Sequence, residues 1–176
     1  MKKINVIDLD NTLIPFDSFR YFVLEKIKSG NLTVFFYTFL RKLNLMSAGL
    51  YKYRIIHATK LEINKEALSN ITNNILESLN NEKMYIIQEN TDTNTENILC
   101  SASPDAYVKK VAEALGWEGY GSGDYENKFY HMYGQNKLKF LKTKFPQSEY
   151  AYNFAMSDSE TDLELLKYFR KWHIVK

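Results

Sequence analysis

Residues 3–10 read Lys3-Ile-Asn-Val-Ile-Asp-Leu-Asp10, a short apolar run that ends in carboxylates. Such a run is typical of a buried parallel strand with polar chemistry at its carboxyl end. Two aspartates at positions i and i+2 just past a strand can both turn toward one pocket, because the chain has left the pleat. The opening of the chain therefore predicts a central strand and a candidate site at its end.

The segment after this strand changes to helical spacing. From Asp17 to about Glu82 the pattern predicts four helices: a stripe from Phe19 to Ile27 closed by Gly30, residues 33–43, residues 48–58, and a stripe from Leu68 to Leu79. Residues 88–97 are polar and aperiodic, which predicts a linker.

Strands and helices then alternate to the end of the chain. The pattern predicts a strand at 97–101, a helix from Ser103 (as its N-cap) to Leu115, a hairpin within 120–133, a helix at 135–145, a strand at 150–156, a helix at 159–169 and a strand at 173–175.

This order predicts an α/β fold, a Rossmann-like parallel-sheet core with an inserted α-helical bundle cap. We expect the core to comprise residues 1–14 and 90–176 and the cap residues 15–89. Ligands of open α/β sheets bind beyond the carboxyl ends of the strands. Three predicted strands end in polar groups, at Asp8 and Asp10, at Ser101 and at Asp158.

Charge and composition narrow the choice of partner. The formal net charge of +2 does not indicate nucleic-acid binding, but residues 13–60 carry eight Lys and Arg against two acids, a balance of +6. A basic segment beside an acidic site suits an anionic substrate, although a solvated helix face is the commoner explanation.

Other features favour a cytoplasmic protein. The single Cys100 excludes an intramolecular disulfide and fits a reducing compartment. The first apolar run is broken too early by Asp8 to be a signal peptide. The most apolar later stretch, residues 32–40, is far shorter than the roughly 20 residues of a membrane span. Membrane association is therefore not favoured.

The pair Asp8 and Asp10 suggests phosphoryl-transfer chemistry. One carboxylate can accept a phosphoryl group, while the other protonates the leaving alkoxide and later activates water. Two close carboxylates repel each other unless a cation lies beside them, so the pair also implies a metal. A solvated Asp-rich turn is an equally common interpretation of two such residues taken alone.

The stretch Ile7-Asp8-Leu-Asp10-Asn-Thr12-Leu13 resembles the first motif, D-x-D-x-T, of the haloacid dehalogenase-like (HAD) phosphatases. The resemblance implies that Asp8 is the nucleophile, that Asp10 is the general acid and base, and that Thr12 belongs to the phosphate-binding residues. Because dehalogenases lack the second aspartate, its presence points to a phosphatase.

Three later stretches resemble the other motifs of the family, in family order. Ser101, in Ile98-Leu-Cys-Ser101-Ala-Ser103-Pro, resembles the phosphate ligand of the second motif in the phosphoserine phosphatase-like branch. Lys137 resembles the lysine of the third motif, which neutralises phosphate charge, and Lys128 and Lys139 are the alternatives close by in the sequence. Ser157-Asp158-Ser-Glu-Thr-Asp162 resembles the fourth, G-D-x-x-x-D, with Ser157 in place of glycine.

These matches imply a Mg2+ site. Asp8 and Asp158 would supply carboxylates and Asp10 its main-chain carbonyl. Asp162 is expected to cap a helix whose N-cap is Ser159, and it can also orient a metal-bound water. If the usual glycine is needed for a positive φ or for close backbone approach, Ser157 lowers efficiency.

The expected substrate is a small phosphorylated molecule, with its identity set by the cap. Asp17 lies nine positions after Asp8, where phosphoserine phosphatases carry an acidic residue that contacts the substrate amine. The resemblance therefore implies a Mg2+-dependent phosphatase with an aspartyl-phosphate intermediate and a substrate such as phosphoserine or a similar metabolite. The other candidates for specificity are Arg20, Arg41, Arg54 and the aromatic residues around Phe35.

Three alternatives remain open. A phosphotransferase would use the same residues, and a non-catalytic HAD-like binding protein would be expected to lack one of the aspartates. A membrane-surface phosphatase would dock through the aromatic stretch 35–40 and the basic cap. We disfavour the last, because aromatic stripes at helical spacing usually belong to a core.

Overall fold

A computed structural model describes residues 1–175 and contains one six-stranded sheet. The strands are β1 (Lys2–Ile7), β2 (Thr95–Pro104), β3 (Glu118–Tyr125), β4 (Lys128–Tyr130), β5 (Tyr150–Ser157) and β6 (Lys171–Ile174). The helices are α1 (Ser18–Lys28), α2 (Leu32–Lys42), α3 (Ala48–Thr59), α4 (Lys65–Glu77), α5 (Asn81–Glu89), α6 (Asp105–Ala114), α7 (Gln135–Lys144) and α8 (Leu163–Leu166).

The sheet has the strand order β4-β3-β2-β1-β5-β6, with β1 at its centre. β1 pairs in parallel with β2 and β5, β3 and β6 continue the parallel pattern outward, and only the edge strand β4 is antiparallel. The predicted α/β fold with a parallel core is confirmed. Because the central strands are parallel, Asp8, Ser101 and Asp158 come to the same edge of the sheet.

Apolar residues of β1 alternate between two buried layers. Ile7 packs in the layer that also holds buried residues of α4, α5 and α6, whereas Val6 packs in the layer with α7 and α8. Strand alternation therefore gives β1 two covered faces, as a central parallel strand requires.

The insertion between β1 and β2 contains five helices rather than the four predicted. The additional helix, α5, begins after Asn80, whose side chain accepts bonds from the backbone of Glu82 and Lys83. The predicted linker at 88–97 shortens to residues 90–94, because β2 begins at Thr95, which pairs with Lys3. One continuous apolar layer joins the insertion to the sheet. The division at 14/15 and 89/90 stays a prediction.

Two predicted helix starts differ in the structure. β2 runs on through Ser103 to Pro104, so α6 begins at Asp105 and Ser103 does not cap it. The hydroxyl of Ser103 instead donates to Asp10. The predicted helix 159–169 is a 3-10 turn, Glu160–Asp162, capped by Ser159 and followed by the four-residue α8. Asp162, at the end of this turn, pairs with Lys137.

Within residues 1–175, no helix is both long and apolar enough to cross a membrane.

Candidate active site

A cavity of about 750 Å³ opens where the carboxyl ends of β1, β2 and β5 meet the inserted helices. Most of the residues expected to form the site line it together: Asp8, Asp10, Asp17, Ser101, Lys137, Asp158 and Asp162. Thr12 is buried beside them. The structure therefore brings together residues from the two ends of the chain and from the first turn of the insertion.

Asp8 lies directly after β1 and is almost fully buried. Its backbone N–H donates to the carbonyl of Met156 at 2.9 Å, which ties the end of β1 to β5. Burial raises the pKa of Asp8 to about 6, with Asp162 and Asp10 adding to the rise and Lys137 opposing it. Its charge is therefore only partly compensated by the protein.

Lys137 lies in the first turn of α7 and joins two carboxylates in the buried floor of the cavity. Its Nζ is 2.7 Å from Oδ2 of Asp162 and 3.1 Å from Oδ2 of Asp8. Burial on its own would lower the pKa of Lys137, but Asp8 and Asp162 hold it well above the usual range. Lys137 thus stays a cation next to the carboxylate expected to act as nucleophile. Neither Lys128 nor Lys139 lines this cavity.

Asp10 is turned toward the junction of the sheet and the inserted helices. Its carboxylate accepts from the backbone N–H of Ser18 at 2.8 Å and from the hydroxyl of Ser103 at 2.5 Å. Burial raises the pKa of Asp10, and these hydrogen bonds oppose the rise. A buried carboxyl group with a raised pKa suits a proton donor better than an exposed one does.

Asp158 is held by Thr12, a contact between opposite ends of the chain. The backbone N–H of Asp158 donates to Oγ1 of Thr12 at 2.9 Å, and this hydroxyl lies 3.4 Å from Oδ1 of Asp158. The geometry assigns Thr12 a positioning contact to Asp158. A role of Thr12 in phosphate binding stays a prediction.

Ser157 replaces the glycine of the motif without backbone strain, since its φ is not positive. Its hydroxyl donates to Oδ2 of Asp162 at 2.9 Å and lies 3.4 Å from Oδ2 of Asp8. The backbone N–H of Ser159 donates to the same hydroxyl at 3.2 Å. Ser157 therefore connects the two carboxylates that Lys137 also joins.

The donor set fits a hard divalent cation only in part. Among the residues described, no three His, Cys, Asp or Glu side chains are grouped closely enough to hold an ion. The carboxylate of Asp10 is bound to Ser18 and Ser103, and that of Asp162 to Lys137 and Ser157. Asp8 and Asp158 remain as carboxylate donors, and the incomplete compensation of the charge of Asp8 favours a further cation beside it.

Lys52 of α3 was not among the predicted site residues, yet it lines the cavity. It is 8% exposed, its Nζ lies 4.8 Å from the ring centre of Phe19, and it donates to the carbonyl of Ala102. Burial lowers the pKa of Lys52 to about 8, while Asp10 and Asp17 oppose the fall. In the sequence, only the position of Lys52 on the inward face of the predicted third helix could have indicated it as a site residue.

Of the cap residues predicted to set substrate specificity, only Asp17 lines the cavity. Asp17 lines the cavity and also caps α1, since it accepts from the backbone N–H of Arg20 at 2.8 Å. Arg41 donates to the carbonyl of Met46 at the end of α2, and neither it nor Arg20 or Arg54 lines the cavity.

The chain thus combines an α/β fold with a cavity lined by several aspartates at the carboxyl edge of a parallel sheet. The chain belongs to the haloacid dehalogenase-like hydrolase family, whose model matches residues 6–167. The resemblance to this family predicted from the four motifs is confirmed. No curated protein matches the sequence.

Solved structures share the fold at low sequence identity. A protein of unknown function from Bordetella pertussis Tohama I superposes with a TM-score of 0.70 at 15% identity, covering 98% of this chain and 89% of that one. A HAD family hydrolase from Salmonella enterica serovar Typhi gives 0.65 at 14% identity, covering 95% of this chain and 60% of that one. A phosphoserine phosphohydrolase-like protein from Francisella tularensis SCHU S4 gives 0.62 at 16% identity, with 98% and 86% covered.

Proposed function

We propose that the protein is a Mg2+-dependent phosphatase that hydrolyses a small phosphomonoester through an aspartyl-phosphate intermediate. The observation that carries the proposal is the buried carboxylate of Asp8, 3.1 Å from Nζ of Lys137 on the floor of an open cavity. A nucleophile beside a fixed cation can receive a group that arrives with negative charge.

In the proposed reaction Asp8 attacks phosphorus in line with the leaving oxygen. A bond forms between a carboxylate oxygen of Asp8 and phosphorus, and the bond from phosphorus to the substrate oxygen breaks. Asp10 gives its proton to that oxygen, and then takes a proton from the water that cleaves the aspartyl phosphate. The reaction consumes one water and releases an alcohol and phosphate.

The remaining site residues are assigned to binding the phosphate group and the Mg2+ ion. Lys137 and Ser101 would bind phosphate oxygens, and Thr12 would hold Asp158 in position. Asp8, Asp158 and the main-chain carbonyl of Asp10 would hold Mg2+, and Asp162 would orient its water from beside Lys137. The ion would neutralise phosphate charge during the transfer.

Hydrolysis of an aryl phosphate with and without Mg2+ tests this function. We expect turnover that needs Mg2+ and stops when EDTA removes it, with phosphate and alcohol released in equal amounts. Transfer of phosphate to an added alcohol would identify a phosphotransferase instead. If neither the aryl phosphate nor a panel of natural phosphomonoesters were turned over, a non-catalytic binding protein would be the better assignment.

The cap residues indicate a substrate with a second charged group. Lys52 and Asp17 enter the cavity from the inserted helices and carry opposite charges. A phosphorylated amino acid such as phosphoserine offers a carboxylate for Lys52 and an amine for Asp17. We therefore place phosphoserine and similar metabolites first among the substrates to be tried.

Lys52→Met is expected to separate such substrates from simple ones. We expect KM for phosphoserine to rise about tenfold or more, since a buried ion pair with the substrate is lost, and KM for an aryl phosphate to change little.

For the wild type, KM for phosphoserine should rise as pH increases above about 8, because Lys52 then loses its proton.

Arg54→Met is the matched control, since Arg54 is an exposed cation on the same helix. It should leave both KM values unchanged. Equal effects of Lys52→Met on the two substrates would contradict a role in recognising the second group.

A cytoplasmic location remains part of the proposal. Its support is Cys100, which is buried and unpaired in β2, as expected for a protein of a reducing compartment. The division into a core of residues 1–14 and 90–176 and a cap of residues 15–89 is also part of the proposal.

A further inference from the structure

Helix α2 presents an apolar face to solvent. Its outward residues recur at positions i, i+3, i+4, i+7 and i+11 and are between 50% and 79% exposed; with Leu45 we call them the α2 patch: Leu32, Phe35, Phe36, Phe39, Leu43 and Leu45. The expectation that these aromatic residues belong to a core is wrong for three of them, Phe35, Phe36 and Phe39.

The orientation of α2 is fixed by its opposite face. Val34 is fully buried, and the hydroxyl of Thr38 lies 2.9 Å from that of Tyr51 on α3. Arg41 is tied to the loop beyond the helix through the carbonyl of Met46. The helix therefore cannot roll its aromatic side chains inward without breaking these contacts, and the apolar face stays on the outside.

The chain segment that carries the patch is strongly basic. From Lys26 to Lys60 the sequence contains seven Lys and Arg and no Asp or Glu. Lys52 is buried in the active-site cavity, which leaves six on the outside. Lys42 follows Phe39 by three residues and is exposed, so positive charge reaches the edge of the patch. One of the six, Lys28, is paired with Glu25 at 2.8 Å, which leaves five without that partner. An apolar helix face carried on a chain segment with this excess of positive charge matches an anionic lipid surface.

We propose that the α2 patch docks the protein on a bilayer that contains anionic lipid. Phenylalanine and leucine side chains would enter the boundary between headgroups and acyl chains, and the basic residues of the segment would contact the headgroups. A second copy of the chain fits less well, since an isologous dimer would place two basic segments against each other. With only eleven residues, α2 would lie on the surface.

Vesicle flotation with the full chain tests the proposal. We expect wild type to float with vesicles made of equal parts phosphatidylcholine and phosphatidylglycerol, and to bind phosphatidylcholine vesicles at least about tenfold more weakly. Phe35→Asp/Phe39→Asp should weaken binding to the mixed vesicles by about tenfold or more. Lys42→Gln should reduce the preference for phosphatidylglycerol.

Ile63→Asp/Tyr85→Asp is the matched control, because it adds the same charge at two exposed apolar positions outside the patch. It should float like wild type. Each variant should keep the wild-type circular dichroism spectrum, which shows that loss of flotation is not loss of fold.

Two results would overturn the proposal. One is flotation of Phe35→Asp/Phe39→Asp equal to that of wild type, or no flotation of wild type with either vesicle. The other is a wild-type dimer in sedimentation equilibrium that dissociates in Phe35→Asp/Phe39→Asp, without vesicle binding, which would make the patch a contact between copies. Neither readout depends on whether the protein hydrolyses phosphomonoesters.

Discussion

Asp8→Asn should abolish hydrolysis of an aryl phosphate, with a fall in kcat on the order of 10⁴-fold or more. An amide at this position has no carboxylate to form the phosphoryl bond, and the two carboxylates closest to Asp8 in the site are held by other partners. Asp162 is bound to Lys137 and Ser157, and Asp10 faces Ser18 and Ser103. The measurement is release of phosphate in excess Mg2+.

Asp10→Asn provides the informative comparison. It keeps the nucleophile and removes the proton donor, so we expect a smaller fall, on the order of 10²- to 10⁴-fold. With a substrate whose leaving group needs no proton, such as a nitrophenyl phosphate, the first step should be less affected. Acid quenching of Asp10→Asn should then trap phosphorylated protein, whereas Asp8→Asn should give none. Equal residual activity in the two variants would contradict the assignment of Asp8 as nucleophile.

The positions of Asp8, Ser101 and Asp158 at one edge could be predicted from the sequence because parallel strands impose it. Each of these residues follows or ends an apolar run, and the carboxyl ends of neighbouring parallel strands must meet. The contact between Thr12 and Asp158 could not be predicted in the same way. It depends on the turn after β1, in which Asn11 has a φ of 52°.

The parallel pairing of β3 with β2 could not be predicted, although a hairpin in this region was expected, because the sequence of β3 has little strand propensity. Glu118–Tyr125 contains three glycines, and glycine is depleted in strands. The structure supplies the reason for Gly121: a Cβ there would lie 2.5 Å from the carbonyl oxygen of Ser103. Close approach of β3 to β2 therefore requires this glycine, and strand pairing overrides the local preference.

The cap shows what periodicity cannot decide. Spacing identifies α2 and α3 as helices with aromatic stripes, but an isolated helix does not reveal which stripe faces the rest of the protein. The structure turns Phe35 outward and Lys52 inward, the reverse of what their chemistry favours. Such reversals are expected where function opposes burial preferences, and both proposals about recognition start from one of them.

Lys137→Met should destabilise the fold strongly as well as impair catalysis. It leaves Asp8 and Asp162 buried without their shared cation, and breaking a buried ion pair costs about 3–5 kcal/mol. We expect the free energy of unfolding in urea, without Mg2+, to fall by about that amount at pH 8. Activity should fall on the order of 10³-fold, because the positive charge of Lys137 beside the transferred phosphate is lost.

The pH dependence of this loss distinguishes charge from packing. The pKa of Asp8 is about 6 in the folded protein, above its value of 3.8 when unfolded, and removing Lys137 raises it further. In Lys137→Met, Asp8 therefore stays protonated in the folded state from about pH 4 to above pH 6, whereas it is ionised in the unfolded state. The stability of the variant falls as pH rises through that range. The deficit of Lys137→Met should therefore be smaller at pH 5 than at pH 8.

Lys137→Met/Asp162→Asn provides the control, because it removes one of the two stranded charges with little change in volume. It should recover part of the stability lost at pH 8 without recovering activity. A deficit of Lys137→Met that is equal at pH 5 and pH 8, and that the second substitution leaves unchanged, would mean that Lys137 acts by filling space. The buried charge would then no longer explain why Asp8 can receive a phosphoryl group.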